Sequence, residues 1–115
     1  MDRFKTKRIY DEPSPDDGLR VLVDRLWPRG VKKDRIDEWA KDLAPSTELR
    51  EEFHAGDFDF EEFRARYRIE LESKSDEMRE LMSKTDGTIT LLYALKDREH
   101  NHALILGQAM GDMDG

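Results

Sequence analysis

The sequence predicts an α/β domain built on a mostly parallel sheet. Three observations carry this expectation. Residues 4–9, 19–24 and 88–95 are short apolar or β-branched runs that read as strands. A stretch of roughly 60 residues with helical periodicity separates the second run from the third. A final helical pattern follows the third run, giving the order strand, strand, three helices, strand, helix. A long helical crossover is what a parallel pair requires, and it should be right-handed. The 115 residues read as a single domain, 1–115. A chain of this length buries roughly two-thirds of the surface its unfolded form exposes, which is enough for a core.

Each element has its own signal. "FKTKRI" (4–9) alternates apolar or β-branched residues with cations, as a half-solvated strand near an edge would. "DEPSPDDG" (11–18) is a loop rich in proline, acid and glycine. "LRVLVD" (19–24) is mostly apolar, as expected of a strand covered on both faces. Asp34 reads as the N-cap of a helix carrying Ile36, Trp39, Ala40 and Leu43 at i, i+3, i+4 and i+7. "APS" (44–46) stops it, and Ser46 caps a second short helix through Leu49, Arg50 and Phe53, ended by Gly56. The longest helix starts near Asp59, with Glu62 three residues on and Phe60, Phe63, Tyr67 and Leu71 along one face. Residues 73–76 kink or restart it before Met78, Leu81 and Met82. "KTDG" (84–87) is an exit turn, and "TITLLYAL" (88–95) is the clearest strand. After Asp97 a last helix runs to about Met110.

Composition narrows the function classes. There are 27 acids against 20 bases, a net charge of −7. That balance argues against broad nucleic-acid binding, which needs cations to displace counterions. It is compatible with a local basic pocket, and with an acid-rich proteome in a saline host. Arg outnumbers Lys by 12 to 8, and Arg is the better fork for carboxylate or phosphate. The chain has no Cys, which removes disulfides, thiolate nucleophiles and Cys-bound metals. No apolar run approaches the roughly 20 residues needed to span a membrane. "MDRFKTKRIY" lacks an apolar signal core. The expectation is a cytoplasmic protein with no membrane partner. No GxGxxG, Walker or GxSxG motif is present, and no cofactor is expected.

Three constellations are candidates for chemistry. In "VLVDRLWPRG" (21–30), Arg25 and Arg29 flank Trp27 and Pro28 just past the end of a strand, and Gly30 permits a tight turn. Two guanidinium groups on a constrained loop can fork one anion. Equally, Arg25 pairs with an internal acid such as Asp24 or Asp97, Arg29 faces water, and Trp27 is core rather than a stacking wall. In "KDREHNHALIL" (96–106), His100, Asn101 and His102 stand at a helix start, where free N–H groups attract anions. His102 is the candidate acid–base group. The plainer reading has Asp97 capping the helix and a His in a packed niche. A metal is not expected, because positions two apart on a helix face different ways. In "WAKDLAPSTELR" (39–50), Lys41 adds a third cation and Ser46 a hydroxyl, unless Lys41 is solvated and Ser46 is only a cap. His54 reads as exposed. In open parallel sheets, ligands sit beyond the carboxyl ends of the strands. A parallel pairing of the strands ending at Asp24 and Leu95 would therefore bring the first two constellations to one rim.

Taken together, "VLVDRLWPRG", "WAKDLAPS", "FRARYRIEL" and "TLLYALKDREHNHA", in this order and spacing, resemble the short, YeaO-like branch of domain-of-unknown-function family 488. The resemblance spans nearly the whole chain. It implies a small prokaryotic cytoplasmic protein with a Rossmann-like, three-layer α/β fold. Such a fold has a mostly parallel sheet of three to four strands with helices on both faces. Longer relatives carry Cys-His-Arg where this chain has Asn101, His102 and Ala103, so only the His corresponds. The resemblance implies Arg25, Arg29, Lys41, Ser46, Asn101 and His102 as a site. With Trp27 as its wall, that site would bind a small anionic ligand, a nucleotide or phosphorylated metabolite. It would act either with acid–base hydrolysis or transfer through His102, or as a non-catalytic sensing or interaction module. Nucleic acid is not an expected partner.

Overall fold

Four parallel strands form one sheet: β1 (Phe4–Arg8), β2 (Leu19–Leu22), β3 (Glu38–Trp39) and β4 (Ile89–Tyr93), side by side in the order β1-β4-β2-β3. The structure, a computed structural model, describes residues 3–114. Its helices are α1 (Thr47–His54), α2 (Phe60–Glu72), α3 (Ser75–Met82) and α4 (His102–Asp114). Short 3₁₀ turns lie at Pro15–Asp17, Lys33–Arg35 and Lys41–Leu43.

Strand order and connection length together dictate the layers. From β1 to β2 to β3 the chain steps one way across the sheet, and from β3 it returns to β4 through α1, α2 and α3. If every crossover keeps one hand, the outward steps cover one face and the return covers the other. The core obeys this. Val21, Val23, Ile89, Leu91 and Tyr93 pack with Phe63, Tyr67, Leu71, Leu106 and Met110 of α2 and α4. The alternate residues Leu22 and Leu92 pack with Ile9, Trp27, Val31 and Ile36, as the two-residue period of a strand requires. The fold is α/β, three-layered and Rossmann-like, with α-helices on one face and 3₁₀ turns and loop on the other. β4 lies between β1 and β2 and is buried along its whole length, which is why it reads as an unbroken apolar run.

One predicted element differs. The helix expected from Asp34 is instead a 3₁₀ turn, the two-residue strand β3, and a second 3₁₀ turn. Open backbone groups on β2 compete for this segment and win. The Asp37 amide donates to the Arg20 carbonyl and the Ala40 amide to the Leu22 carbonyl, both at 2.8 Å. The Asp37 carboxylate adds a third bond by accepting from the Arg20 amide at 2.8 Å. The apolar spacing of Ile36, Trp39 and Leu43 serves two faces of a winding chain rather than one face of a helix. The last helix also begins later than expected, at His102, leaving 94–101 as loop. The interruption near Ser73 is real and separates α2 from α3. Among the described residues no helix is long and apolar enough to cross a membrane.

Candidate functional site

Because β2 and β4 pair in parallel, the loops that follow them leave from the same edge of the sheet. A cleft of about 240 Å³ opens there, lined by the loop after β2, by Ala44–Pro45 with α1, and by the residues between β4 and α4.

Asp24 stands where the β2–β4 ladder ends. The Val23 amide still donates to the Leu92 carbonyl at 3.0 Å. One residue on, the Asp24 side chain takes over: its Oδ2 accepts from the Ala94 amide at 3.0 Å. The other carboxylate oxygen lies 2.9 Å from Nε2 of His102. Both atoms are shut off from solvent, and the ring nitrogen is not aligned on the oxygen. The separation is nonetheless within hydrogen-bonding distance.

A series of local bonds delivers His102 to this place. Asp97 Oδ1 accepts from the amides of Glu99 and His100, each at 2.9 Å. These backbone donors hold the Asp97 carboxyl below its ordinary range. Asn101 is the N-cap of α4: its Oδ1 accepts from the Leu104 amide at 3.1 Å, and its Nδ2 donates to the Asp97 carbonyl at 3.0 Å. Asn101 and His102 are both buried, 1% and 8% exposed, in contrast to the exposed His100.

Arg25 enters the cleft from the loop after β2. It pairs with neither Asp24 nor Asp97. Its Nη2 donates to the Ala44 carbonyl at 3.1 Å and its Nε to the Pro45 carbonyl at 3.2 Å. Neutral carbonyls fix the guanidinium without cancelling its charge. Arg50 and His54, one turn apart on α1, line the outer cleft, and Phe53 and Phe63 stack beside them with ring centres 4.5 Å apart. Among the described residues neither Arg25 nor Arg50 is in an ion pair.

Of the residues singled out in the sequence, Arg25, Asn101 and His102 meet at this cleft, while Trp27, Arg29, Lys41 and Ser46 do not line it. Trp27 packs on the opposite face of the sheet and donates its indole N–H to the Val31 carbonyl at 2.8 Å. Arg29 is exposed, and its carbonyl accepts from the Tyr10 hydroxyl at 3.0 Å. The Lys41 ammonium sits 5.2 Å from the centre of the Trp39 ring. Ser46 caps α1 by accepting from the Leu49 amide at 3.1 Å, and its hydroxyl donates to Glu70 at 2.7 Å. Asp24, Arg50, His54 and Phe53 also line it without having been singled out for it. Only Asp24 carried a usable signal, as an acid ending an apolar strand. Among the described residues, no three His, Asp or Glu side chains are grouped to hold a metal ion.

Comparison with known proteins agrees with the resemblance read from the motifs. The family described as "Inactive DUF488-N3 subclade", DUF488-N3i, matches residues 3–113. The uncharacterized protein YeaO of Escherichia coli (strain K12) is 47% identical over 106 residues, covering 90% of this chain and 92% of that protein. The uncharacterized proteins Mb3100c of Mycobacterium bovis and Rv3073c of Mycobacterium tuberculosis are each 41% identical over 112 residues, covering 94% of this chain and 93% of theirs. No solved structure matches the chain. With the family matched along nearly the full length and the relatives aligned over nine-tenths of it, the chain belongs to the DUF488-N3i family, among its YeaO-like members.

Proposed function

We propose that the cleft binds a small anionic ligand, a phosphate monoester or carboxylate, and holds it without turning it over. One observation carries this reading. Arg25, fixed by neutral carbonyls, and Arg50, in no ion pair among the described residues, both line one cleft in a chain whose net charge is −7. A concave, partly apolar wall around local positive charge concentrates anions against the sign of the whole molecule. Phe53, Phe63 and Leu26 would take the apolar body of the ligand. At about 240 Å³ the cleft falls below the roughly 300–1,000 Å³ of drug-sized sites, which favours a single-ring metabolite over a dinucleotide. A cytoplasmic ligand pool suits this reading.

Two features favour binding without chemistry. The matched family is described as inactive. Where longer relatives carry a Cys, this chain has Asn101, which is occupied as a helix cap. A second reading, acid–base hydrolysis or transfer by His102, rests on its contact with Asp24. Calorimetric titration with a panel of phosphate monoesters and aryl carboxylates decides between them. Saturable binding is expected, weakened roughly tenfold or more in Arg25→Ala and Arg50→Ala and unchanged in Arg29→Ala. Absence of binding across the panel overturns the proposal. Product formation that Asp24→Asn and His102→Asn abolish would favour the second reading.

A further inference from the structure

A second concavity lies on the opposite face of the sheet, an open groove of about 830 Å³ lined by Trp27, Val31, Ile36 and Trp39 with Lys32, Lys33 and Asp37. It shares no lining residue with the cleft. The chain's two tryptophans meet in it edge to face, with ring centres 5.2 Å apart. Trp39 belongs to the edge strand β3 and is 38% exposed. Both indole N–H groups are already used, Trp27 on the Val31 carbonyl and Trp39 on the Asp24 carbonyl at 2.7 Å. The indoles therefore present ring surface, not hydrogen-bond donors, to the groove. Two cations and one acid share its lining. Lys32 and Lys33 are exposed, and among the described residues their side chains make no ion pair or hydrogen bond. Lys41 lies over the Trp39 ring.

We infer that this groove is a docking site for an acidic segment of another protein that carries an apolar side chain. The apolar residue would lie against the exposed surface of the indole pair while its acids face Lys32, Lys33 and Lys41. Charge complementarity selects this occupant. A two-fold pairing of identical grooves would set lysines against lysines, which disfavours a second copy of the chain. Single-stranded nucleic acid needs open ring faces for stacking. Here one face of Trp39 is covered by Lys41, and the two indoles pack edge to face rather than as a flat stacking platform. Aromatic anchors rimmed by charge are the composition of interface hot spots. One groove of this size implies a weak, reversible contact.

The test uses the intact protein and its own fluorescence, since both tryptophans are in the groove. The probes are synthetic peptides of roughly ten residues, long enough to lie along a groove: one of Glu and Asp around a central Leu pair, one with the Leu pair replaced by Gly, one with Lys for every acid, and an oligothymidylate. The acidic Leu peptide should shift the emission saturably, and its affinity should fall roughly tenfold or more in the Lys32→Glu, Lys33→Glu double variant. The Gly and Lys peptides should bind much more weakly, and Arg79→Ala, on α3 and outside both concavities, should leave the affinity for the acidic Leu peptide unchanged. The inference is overturned if the acidic Leu peptide gives no saturable shift, if the charge-reversed variant binds it equally, or if oligothymidylate binds more tightly.

Discussion

Asp24 ends β2 with its carboxylate shared between two elements, one oxygen on the Ala94 amide at 3.0 Å and the other 2.9 Å from His102 Nε2. The acid thus joins the strand ends to the first turn of α4. Its two contacts separate by substitution. Asp24→Asn keeps an acceptor for Ala94 and removes the charge beside His102, whereas Asp24→Ala loses both. Leaving the Ala94 amide unpaired in a partly buried place adds about 1–3 kcal/mol. Asp24→Ala is expected to unfold several degrees below Asp24→Asn in a thermal melt. Equal melting temperatures would mean that the Ala94 bond adds nothing to stability.

Acid should unfold this protein through named carboxylates. Asp11 accepts both arms of Arg98 at 2.8 Å, and that pairing, opposed by burial and aided by the Arg8 amide, lowers its carboxyl to about 2. For Asp17, burial pushes upward, but Lys7, the Ser14 amide and Arg20 outweigh it, and the net shift is downward. A carboxyl depressed in the folded state adds stability above its unfolded value, near 3.9 for Asp. That stability drains away as pH falls through the folded value. Denaturant midpoints should therefore hold from neutrality to about pH 4 and fall between about pH 4 and 2. Arg98→Gln should flatten part of that fall. A midpoint flat to pH 2 would contradict the assignment.

The buried pair on the other face of the sheet gives a larger effect. Asp17 is 3% exposed and Arg20 9%, and Arg20 Nη2 has no partner among the described residues. The Asp17 carboxylate also holds Lys7 at 2.7 Å and the Ser14 amide at 2.9 Å. Asp17→Ala strands a guanidinium in the interior, at a cost of about 3–5 kcal/mol. Replacing Asp17 and Arg20 together should cost less than Asp17→Ala alone, because no orphaned charge remains. Urea unfolding of the three variants tests the inequality.

Sequence patterns revealed the elements whose signals are local and missed those set by distant partners. β4 was legible because a strand buried on both faces is apolar at every position. The start of α2 was legible because Asp59 accepts from the Glu62 amide, a bond that three residues suffice to define. β3 was not, since a two-residue edge strand has too little sequence to assert a period, and what selects it is the free edge of β2. The candidate site divides in the same way. His102 and Asn101 follow from the N-terminus of a helix. The partners of Arg25 are the carbonyls of Ala44 and Pro45, which any residues at those positions would supply. Arg50 and His54 matter only because of how α1 docks, which the amphipathic pattern of an eight-residue helix does not fix.

Ser46 offers a direct separation of cap from ligand contact. Its hydroxyl accepts from the Leu49 amide and donates to Glu70, whose other oxygen takes the Ser46 amide at 2.9 Å. Ser46→Ala should cost about 1–2 kcal/mol through the lost cap and leave any affinity measured at the cleft unchanged. A variant of unaltered stability but weakened ligand binding would instead make Ser46 part of the site.

Gly18 is the position where the backbone itself is most constrained. It has φ +63°, and a Cβ built there would stand 2.2 Å from the Thr88 carbonyl oxygen. That oxygen accepts from the Leu19 amide at 2.9 Å, the bond that opens the β2–β4 pairing. Any side chain at 18 must push the two strands apart where their register is set, and retreat of a side chain cannot relieve a clash with backbone. Gly30 also has a positive φ, +77°, but open space around it, so Gly30→Ala meets only the conformational penalty of about 1 kcal/mol. Gly18→Ala is expected to be much the worse of the two, lost to aggregation or melting well below Gly30→Ala. Side-by-side thermal melts read the difference, and comparable melting temperatures would show that the strands yield at Thr88 without loss.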